Sequence, residues 1–147
     1  MALVSDLLVT KGQMYWSVTP ETSIHEALKI LAEKDVGALL VLEGKKLAGI
    51  ISERDYVRKI LLLGEISMDT PVQELMSTKV FYVTPSQSID ECMAFMASKD
   101  IRYLPVMEND ELVGLVSIGD VVREVVSGKD VEIVQLEAYI TGLLLSG

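Results

Sequence analysis

The feature that most constrains this chain is an internal repeat. Val18-Thr19-Pro20 recurs as Val83-Thr84-Pro85, and the two copies align without a gap at an offset of 65 positions (18 to 83). A unit of about 60 residues is near the lower limit for an independent core, so we expect the two copies to pack together. The identical pairs at this offset include Ser23 with Ser88, Ile24 with Ile89, Gly49 with Gly114, Ser52 with Ser117, and Asp55 with Asp120.

Each copy carries the pattern of an amphipathic helix after a short first strand that ends at the Val-Thr-Pro sequence. Ser23 and Glu26 have the S-x-x-E spacing of a capping box, as do Ser88 and Glu91. The apolar residues that follow recur at the i, i+3, i+4, i+7 spacing of one helix face. The residues predicted to be buried there are Ile24, Ala27, Leu28 and Leu31 in the first copy and Ile89, Cys92, Met93 and Met96 in the second.

A β-hairpin and a second helix are predicted after each of these helices. Two short apolar runs flank a polar turn in both copies, which is typical of a hairpin. The sequence therefore predicts an α+β fold of tandem β-α-β-β-α repeats. The runs and turns are 38–42, 43–46 and 47–51 in the first copy, and 103–107, 108–111 and 112–116 in the second.

The repeat also sets the predicted domain organisation. We expect a first repeat at 7–64, a polar connector at 65–71 and a second repeat at 72–130, the last opening with a short helix. The remaining segment, 131–147, has the pattern of an amphipathic helix that packs on the module or on a sister subunit.

Composition excludes several classes of function. The net charge of −9, without a run of Lys or Arg, argues against nucleic-acid binding and against an anionic membrane surface. No stretch approaches the roughly 18 apolar residues of a membrane span, and the N-terminus lacks the pattern of a secretory signal, so a cytoplasmic location is expected. A single histidine, His25, and a single cysteine, Cys92, cannot form a His/Cys zinc site; we expect His25 to be solvated and Cys92 to be a small core residue.

The sequence G-h-h-S-x-x-D, where h is apolar, occurs in both copies at the predicted strand-to-helix junction, at 49–55 and at 114–120. The N-terminus of a helix favours an anion, a Ser hydroxyl can donate to a phosphate or sugar oxygen, and a carboxylate can accept from both ribose hydroxyls. A structural interpretation is also open, in which Ser52 and Ser117 are N-caps and Asp55 and Asp120 reach back to them. Arg54 and Arg58 could pair with a phosphate or form salt bridges, and Asp55 could pair with Lys59 on the helix surface.

These junctions, with the segments before them, resemble the CBS domain. The resemblance covers roughly residues 7–127, and no catalytic or transport domain accompanies it. The chain is thus similar to a free-standing CBS pair. The segments that carry the resemblance are Thr10-Lys11-Gly12, Val18-Thr19-Pro20, 32–41 and 49–55 in the first copy, and 98–106 and 114–120 in the second.

The resemblance implies that the two units pack through their sheets about a pseudo-twofold axis, leave two clefts and dimerise. It also implies an adenosyl ligand (AMP, ADP, ATP, NAD or S-adenosylmethionine) that acts as a regulator, with AMP expected first. The residues implied for one cleft are Asp120, Ser117, Thr10 and the segment Val36-Gly37-Ala38. Those implied for the other are Asp55, Ser52, Ser77 or Thr78, and the segment Ile101-Arg102-Tyr103, in which Arg102 is a candidate phosphate partner.

The two clefts need not be equal, because Leu40 and Gly37 of the first copy stand where the second has Pro105 and Arg102. The leading hypothesis is a regulatory sensor whose ligand changes the packing of the units, a change that an unidentified partner protein reads. The alternative is a dimerisation or interaction module without a ligand. An enzyme is disfavoured, since the sequence offers no His with a partner acid, no nucleophile with a base and no metal cluster.

Overall fold

The computed structural model describes residues 2–12, 15–127 and 140. It confirms the predicted α+β fold of two repeats. The predicted amphipathic tail at 131–147 lies, except for Ile140, outside the described residues. The elements in chain order are α1 (Val4–Lys11), β1 (Ser17–Val18), α2 (Ile24–Lys34), β2 (Ala38–Glu43), β3 (Lys46–Ser52), α3 (Glu53–Leu63), a 3-10 helix (Val72–Glu74), α4 (Ile89–Lys99), β4 (Tyr103–Glu108), β5 (Glu111–Ser117) and α5 (Ile118–Ser127).

Each unit completes its core with a segment that lies before the other unit in the sequence. Helix α1 buries Val4, Leu7 and Leu8 in the core of the second unit. The segment around the 3-10 helix buries Val72 and Leu75 in the core of the first unit. The first and second repeats of the sequence are therefore not the two packed bodies of the structure, because their leading segments are exchanged.

Main-chain hydrogen bonds hold the exchanged segments at the start of α2 and α4. The N–H of Val4 donates to the carbonyl of Gln87 (2.8 Å), and the N–H of Ile89 donates to the carbonyl of Ala2 (3.0 Å). In the first unit the N–H of Val72 donates to the carbonyl of Thr22 (2.7 Å). The two junctions thus use the same kind of main-chain pairing, as expected for two copies of one unit.

The sheets differ between the units because of one proline. In the first unit β1 pairs in parallel with β2, and the N–H of Leu40 donates to the carbonyl of Trp16 (3.0 Å). Pro105 stands at the position of Leu40 in the second unit and has no N–H to donate. The strand predicted before Thr84-Pro85 is therefore reduced to a single bridge between Val83 and Val106. The first unit has a three-stranded sheet and the second a two-stranded one.

The helix signals were read correctly with two exceptions. Ser88 and Glu91 form the full capping box, whereas Ser23 accepts from the N–H of Glu26 (3.1 Å) without a reciprocal bond among the described residues. Met93 was predicted to be buried, and this is wrong: the residue is 37% exposed, whereas Cys92 and Met96 on the same helix are buried. Cys92 is fully buried and His25 is exposed, as predicted.

Two equivalent glycines let the exchanged segments approach the sheets. A Cβ on Gly49 would lie 2.8 Å from the main-chain oxygen of Ser77 and 2.7 Å from Sδ of Met76. A Cβ on Gly114 would lie 2.6 Å from Cδ2 of Leu8, the end of a flexible side chain. Both glycines are therefore required by close packing, but only Gly49 faces an obstacle that cannot rotate away.

We expect Gly49→Ala to lower the free energy of unfolding by about 1–3 kcal/mol, the range for overpacking. Gly114→Ala should cost less, because the Leu8 side chain can change its rotamer. Urea unfolding of both variants measures the difference. An equal cost for the two alanines would show that the Ser77 main chain yields as easily as Leu8.

Candidate ligand-binding clefts

Both G-h-h-S-x-x-D sequences lie where a strand turns directly into a helix. Ser52 is the N-cap of α3, and its Oγ accepts from the N–H of Asp55 (3.1 Å). Ser117 makes the same bond to the N–H of Asp120 (3.1 Å). Both serines are thus helix caps, and each keeps its own O–H free to donate elsewhere.

Asp55 lies on the wall of a cavity of about 250 Å³ between the two units, which we call the Asp55 cleft. No side chain in the described part of the chain donates to its carboxylate. Lys59, considered from the sequence as a partner for Asp55, instead donates to the main-chain carbonyl of Leu75. The carboxylate therefore remains available to hydroxyl groups of a ligand.

The Asp55 cleft is lined by residues of both units and of the segment 77–81 between them. Six residues predicted for it line the cavity: Ser52, Asp55, Ser77, Ile101, Arg102 and Tyr103. Thr78, the alternative to Ser77, instead lines an open groove between the turns of the two hairpins. The main chain explains the choice, because Ser77 is bonded in both directions to Ile50 of β3 (2.9 and 3.0 Å).

The lining of the Asp55 cleft includes both positive and apolar side chains. Four positive side chains line it against three acidic ones. Arg54 and Arg58 were considered from the sequence, whereas Lys79, Val80 and Phe81 were missed, because positions 79–81 share no identical residue with 14–16 in the other copy. The positive residues are Arg54, Arg58, Lys79 and Arg102; the acidic ones are Glu53, Asp55 and Asp100; the apolar ones include Ile50, Val80, Phe81, Ile101 and Pro105.

Asp120 is held very differently. Its Oδ2 accepts from Nζ of Lys11 (2.6 Å) and from the N–H of Ser117 (2.9 Å), and its Oδ1 accepts from Arg123 (2.7 Å). Its side chain is only 10% exposed. Burial raises the pKa of Asp120, but the hydrogen bonds from Lys11 and Ser117, together with the Lys11 charge, outweigh burial and hold the pKa below its ordinary value.

The two aspartates therefore make different contacts, and each copy agrees with a different one of the two interpretations left open by the sequence. Asp120 reaches back to Ser117, as the structural interpretation predicted. Asp55 does not reach back to Ser52 and lines a cavity, and its binding role stays a prediction.

Thr10 and the segment at 36–38, also expected around Asp120, make no hydrogen bond to its carboxylate among the described residues. Thr10 donates to the carbonyl of Asp6 in its own helix (3.3 Å), and Val36 packs against the core of the first unit. Ala38 is buried in β2 opposite Ser52. Gly37 lines the Asp55 cleft instead, where a Cβ would lie 2.1 Å from the hydroxyl of Tyr103. The segment at 36–38 was predicted to line the cleft at Asp120. Gly37 instead opens into the Asp55 cleft, because the Tyr103 side chain of the second unit reaches across to it.

Other chemistry is not supported by the described residues. Among them, no three His, Cys, Asp or Glu side chains are grouped in a way that could hold a metal ion. Burial and the nearby Glu91 raise the pKa of the Cys92 thiol to about 11. No helix in the described ranges is both long and apolar enough to cross a membrane.

Comparison with known families agrees with this architecture. The family model of the CBS domain matches the chain twice, at residues 4–62 and 72–127. The chain therefore belongs to the CBS-domain family, and its two matched segments form a CBS pair.

Known proteins resemble the chain over most of its length. The CBS domain-containing protein CBSX3, mitochondrial, of Arabidopsis thaliana is 40% identical over 95% of this chain and 72% of its own. The structure of a protein with CBS domains from Burkholderia ambifaria MC40-6 is 44% identical, with a TM-score of 0.82 over 88% of this chain and 97% of its own.

Similar structures have been determined with adenosyl compounds. The CBS domain protein PAE2072 from Pyrobaculum aerophilum, complexed with AMP, is 25% identical with a TM-score of 0.70 over 80% of this chain and 88% of its own. The CBS domain pair of protein MJ0100, in complex with 5-methylthioadenosine and S-adenosyl-L-methionine, is 26% identical with a TM-score of 0.76 over 88% of this chain and 99% of its own.

The pKa of Asp120 makes a prediction about acid stability. A lowered folded-state pKa stabilises the fold above the unfolded pKa, near 3.9, and this stabilisation disappears as the pH falls through the folded value. We expect Asp120→Asn to lower the free energy of unfolding at pH 7 by about 1–3 kcal/mol, the value of hydrogen bonds to a charged group. The variant should also lose less stability than the wild type between roughly pH 5 and pH 2.

Asp55→Asn is the matched control, because Asp55 occupies the same position of the other copy. Its effect at pH 7 should stay within about 0.5 kcal/mol. Urea unfolding at several pH values measures both variants. Equal losses for the two would contradict the asymmetry described here.

Proposed function

We propose that this protein is a regulatory module that binds an adenosyl ligand in the Asp55 cleft. The observation that carries the proposal is the Asp55 carboxylate, which has no side-chain partner among the described residues and lines a cavity beside positive and apolar groups. The adenosyl compounds bound to PAE2072 and to the MJ0100 pair support the same class of ligand.

The surfaces of the cleft match the three parts of a nucleotide. Asp55 would accept from the two ribose hydroxyls, as acidic residues do in other nucleotide folds. The Ser52 hydroxyl would donate to a ribose or phosphate oxygen. Val80 and Phe81 would cover the adenine ring, since aromatic and apolar side chains favour a flat base. The volume of about 250 Å³ is slightly below the range of pockets that hold small ligands, roughly 300–1,000 Å³.

The charge of the cleft favours a phosphorylated ligand. The guanidinium groups of Arg54, Arg58 and Arg102 can bind phosphate oxygens in a bidentate way. The sulfonium of S-adenosylmethionine would gain nothing from these groups. We therefore expect AMP first, then ADP, ATP and NAD, with S-adenosylmethionine weaker.

The regulatory step would use the contact between the units. Tyr103 belongs to the second unit and packs against Gly37 of the first, within the cleft. A ligand seated there would touch both units and change their packing, provided that it binds one arrangement more tightly than the other. We propose that a partner protein, or a sister subunit, reads this change, and that the module binds its ligand without catalysing a reaction.

A second candidate function is a dimerisation module without a ligand. Helix α3 favours it, because its last turn exposes Leu61, Leu62 and Leu63. Exposed apolar patches of this kind are typical of interaction surfaces. A homodimer is compatible with both functions, and the cytoplasmic location stays a prediction.

A thermal-shift screen with AMP, ADP, ATP, NAD and S-adenosylmethionine tests the proposed function. A ligand at 100 times its Kd stabilises a protein by about 2.7 kcal/mol, which shifts Tm by several degrees for a chain of this size. We expect AMP to raise the Tm of the wild type and of Asp120→Ala but not that of Asp55→Ala.

Each variant serves as the other's control, since both remove a carboxylate at the third position of a helix. Because Asp120→Ala is expected to be less stable, the ligand-induced shift is compared rather than the absolute Tm. The absence of any shift at millimolar concentrations would reject the ligand-binding function and favour the dimerisation module.

A further inference from the structure

The carboxylate of Asp120 is fully occupied by groups of its own chain. Oδ2 accepts from Lys11 and from the N–H of Ser117, and Oδ1 accepts from Arg123. These are the oxygens that would accept from the hydroxyls of a ribose. A second adenosyl ligand would have to displace at least one of these donors.

Lys11 is fixed both at its ammonium group, by hydrogen bonds, and at its main chain, which belongs to the packed helix α1. Its Nζ donates to the carbonyl of Leu115 (2.6 Å) as well as to Asp120, and its side chain is 26% exposed. Its helix is fixed by the buried residues Val4, Leu7 and Leu8. Lys11 is thus a built part of this site, whereas the side chain of Arg123 is 68% exposed and can leave Asp120 at little cost.

The equivalent lysine of the other cleft makes no such bond among the described residues. Leu8 packs on Gly114 and Met76 packs on Gly49, so the two exchanged segments correspond by position. Lys11 then corresponds to Lys79, three residues after Met76. Lys79 lines the Asp55 cleft, and its Nζ lies 5.7 Å from the centre of the Phe81 ring rather than on Asp55.

We propose that the junction at Asp120 is a second adenosyl site that Lys11 keeps closed. Lys11 takes the place of the ribose hydroxyls on Oδ2, and α1 holds it there. The wild-type chain then binds one ligand, in the Asp55 cleft. This inference rests on the proposed function, since it assumes that the free Asp55 junction binds an adenosyl compound.

Isothermal titration with AMP, extended by equilibrium dialysis to millimolar concentrations, tests this by stoichiometry on the full chain. We expect one AMP per chain for the wild type and two for Lys11→Ala, in which Oδ2 is released and Arg123 is available to phosphate. Asp55→Ala should bind none, and the double variant Asp55→Ala/Lys11→Ala should bind one. Lys29→Ala, which removes the same charge from an exposed position of α2, should bind one.

Melting curves are recorded first, to establish that each variant is folded. If Lys11→Ala does not fold, Lys11→Met replaces it, because Met keeps most of the side-chain stem and has no N–H to donate to Asp120. Two AMP per chain in the wild type would overturn the closed site while leaving the proposed function intact. One AMP per chain in Lys11→Ala would also overturn it, whereas no binding in the wild type or in any variant would reject the proposed function itself.

Discussion

The exchange of leading segments between the two units is the constraint on which the rest of the structure depends. A unit of this length has a small core, and each one here is completed by apolar side chains that precede the other unit in the sequence: Val4, Leu7 and Leu8 for the second, Val72 and Leu75 for the first. Because each exchanged segment passes over a sheet at Gly114 or Gly49, its following residues reach the strand-to-helix junction of that unit. In this way Lys11 reaches Asp120, whereas Lys79 lines the Asp55 cleft beside Phe81.

Two copies of the same junction acquire different chemistry from these neighbours. At Asp120 the Lys11 ammonium and the N–H of Ser117 satisfy the carboxylate internally, and together they hold its pKa below the ordinary value despite burial. At Asp55 the nearby cations line a cavity with the aspartate, and among the described residues none of them donates to it. A buried carboxylate with partners stabilises a fold, whereas one that faces a cavity is free to bind. The same local sequence therefore supports a structural role in one copy and a binding role in the other.

The sequence predicted most of the fold because its signals are local. The capping serines, the period of the helix faces and the polar hairpin turns each act within a few residues, and the repeat showed them twice. Pro105 could have warned that the first strand of the second unit would not form, since it removes the N–H that Leu40 supplies in the first unit. Met93 was misplaced because the helix period does not say which of two adjacent positions the core has room for.

Leu40 and Gly37 indicated from the sequence that the two clefts need not be equal. The cause found in the structure could not be predicted, because it depends on contacts between segments far apart in the chain. Lys11 and Asp120 meet only after the exchange of α1, and the sequence gives no sign of that exchange. Gly37 was assigned to the cleft at Asp120 because the spacing of residues in the sequence does not show that the Tyr103 side chain reaches across to the first unit. Lys79 and Phe81 were missed because their segment shares no identical residue with positions 14–16 of the first copy, so the repeat did not draw attention to it.

The most direct test of this account is a crystal structure of the full chain grown with AMP. The account predicts AMP in the Asp55 cleft, with the ribose hydroxyls on the Asp55 carboxylate, the phosphate among the arginines, and the bond from Lys11 to Asp120 unchanged. AMP bound at Asp120 with Lys11 displaced, while the Asp55 cleft remains empty, would contradict it.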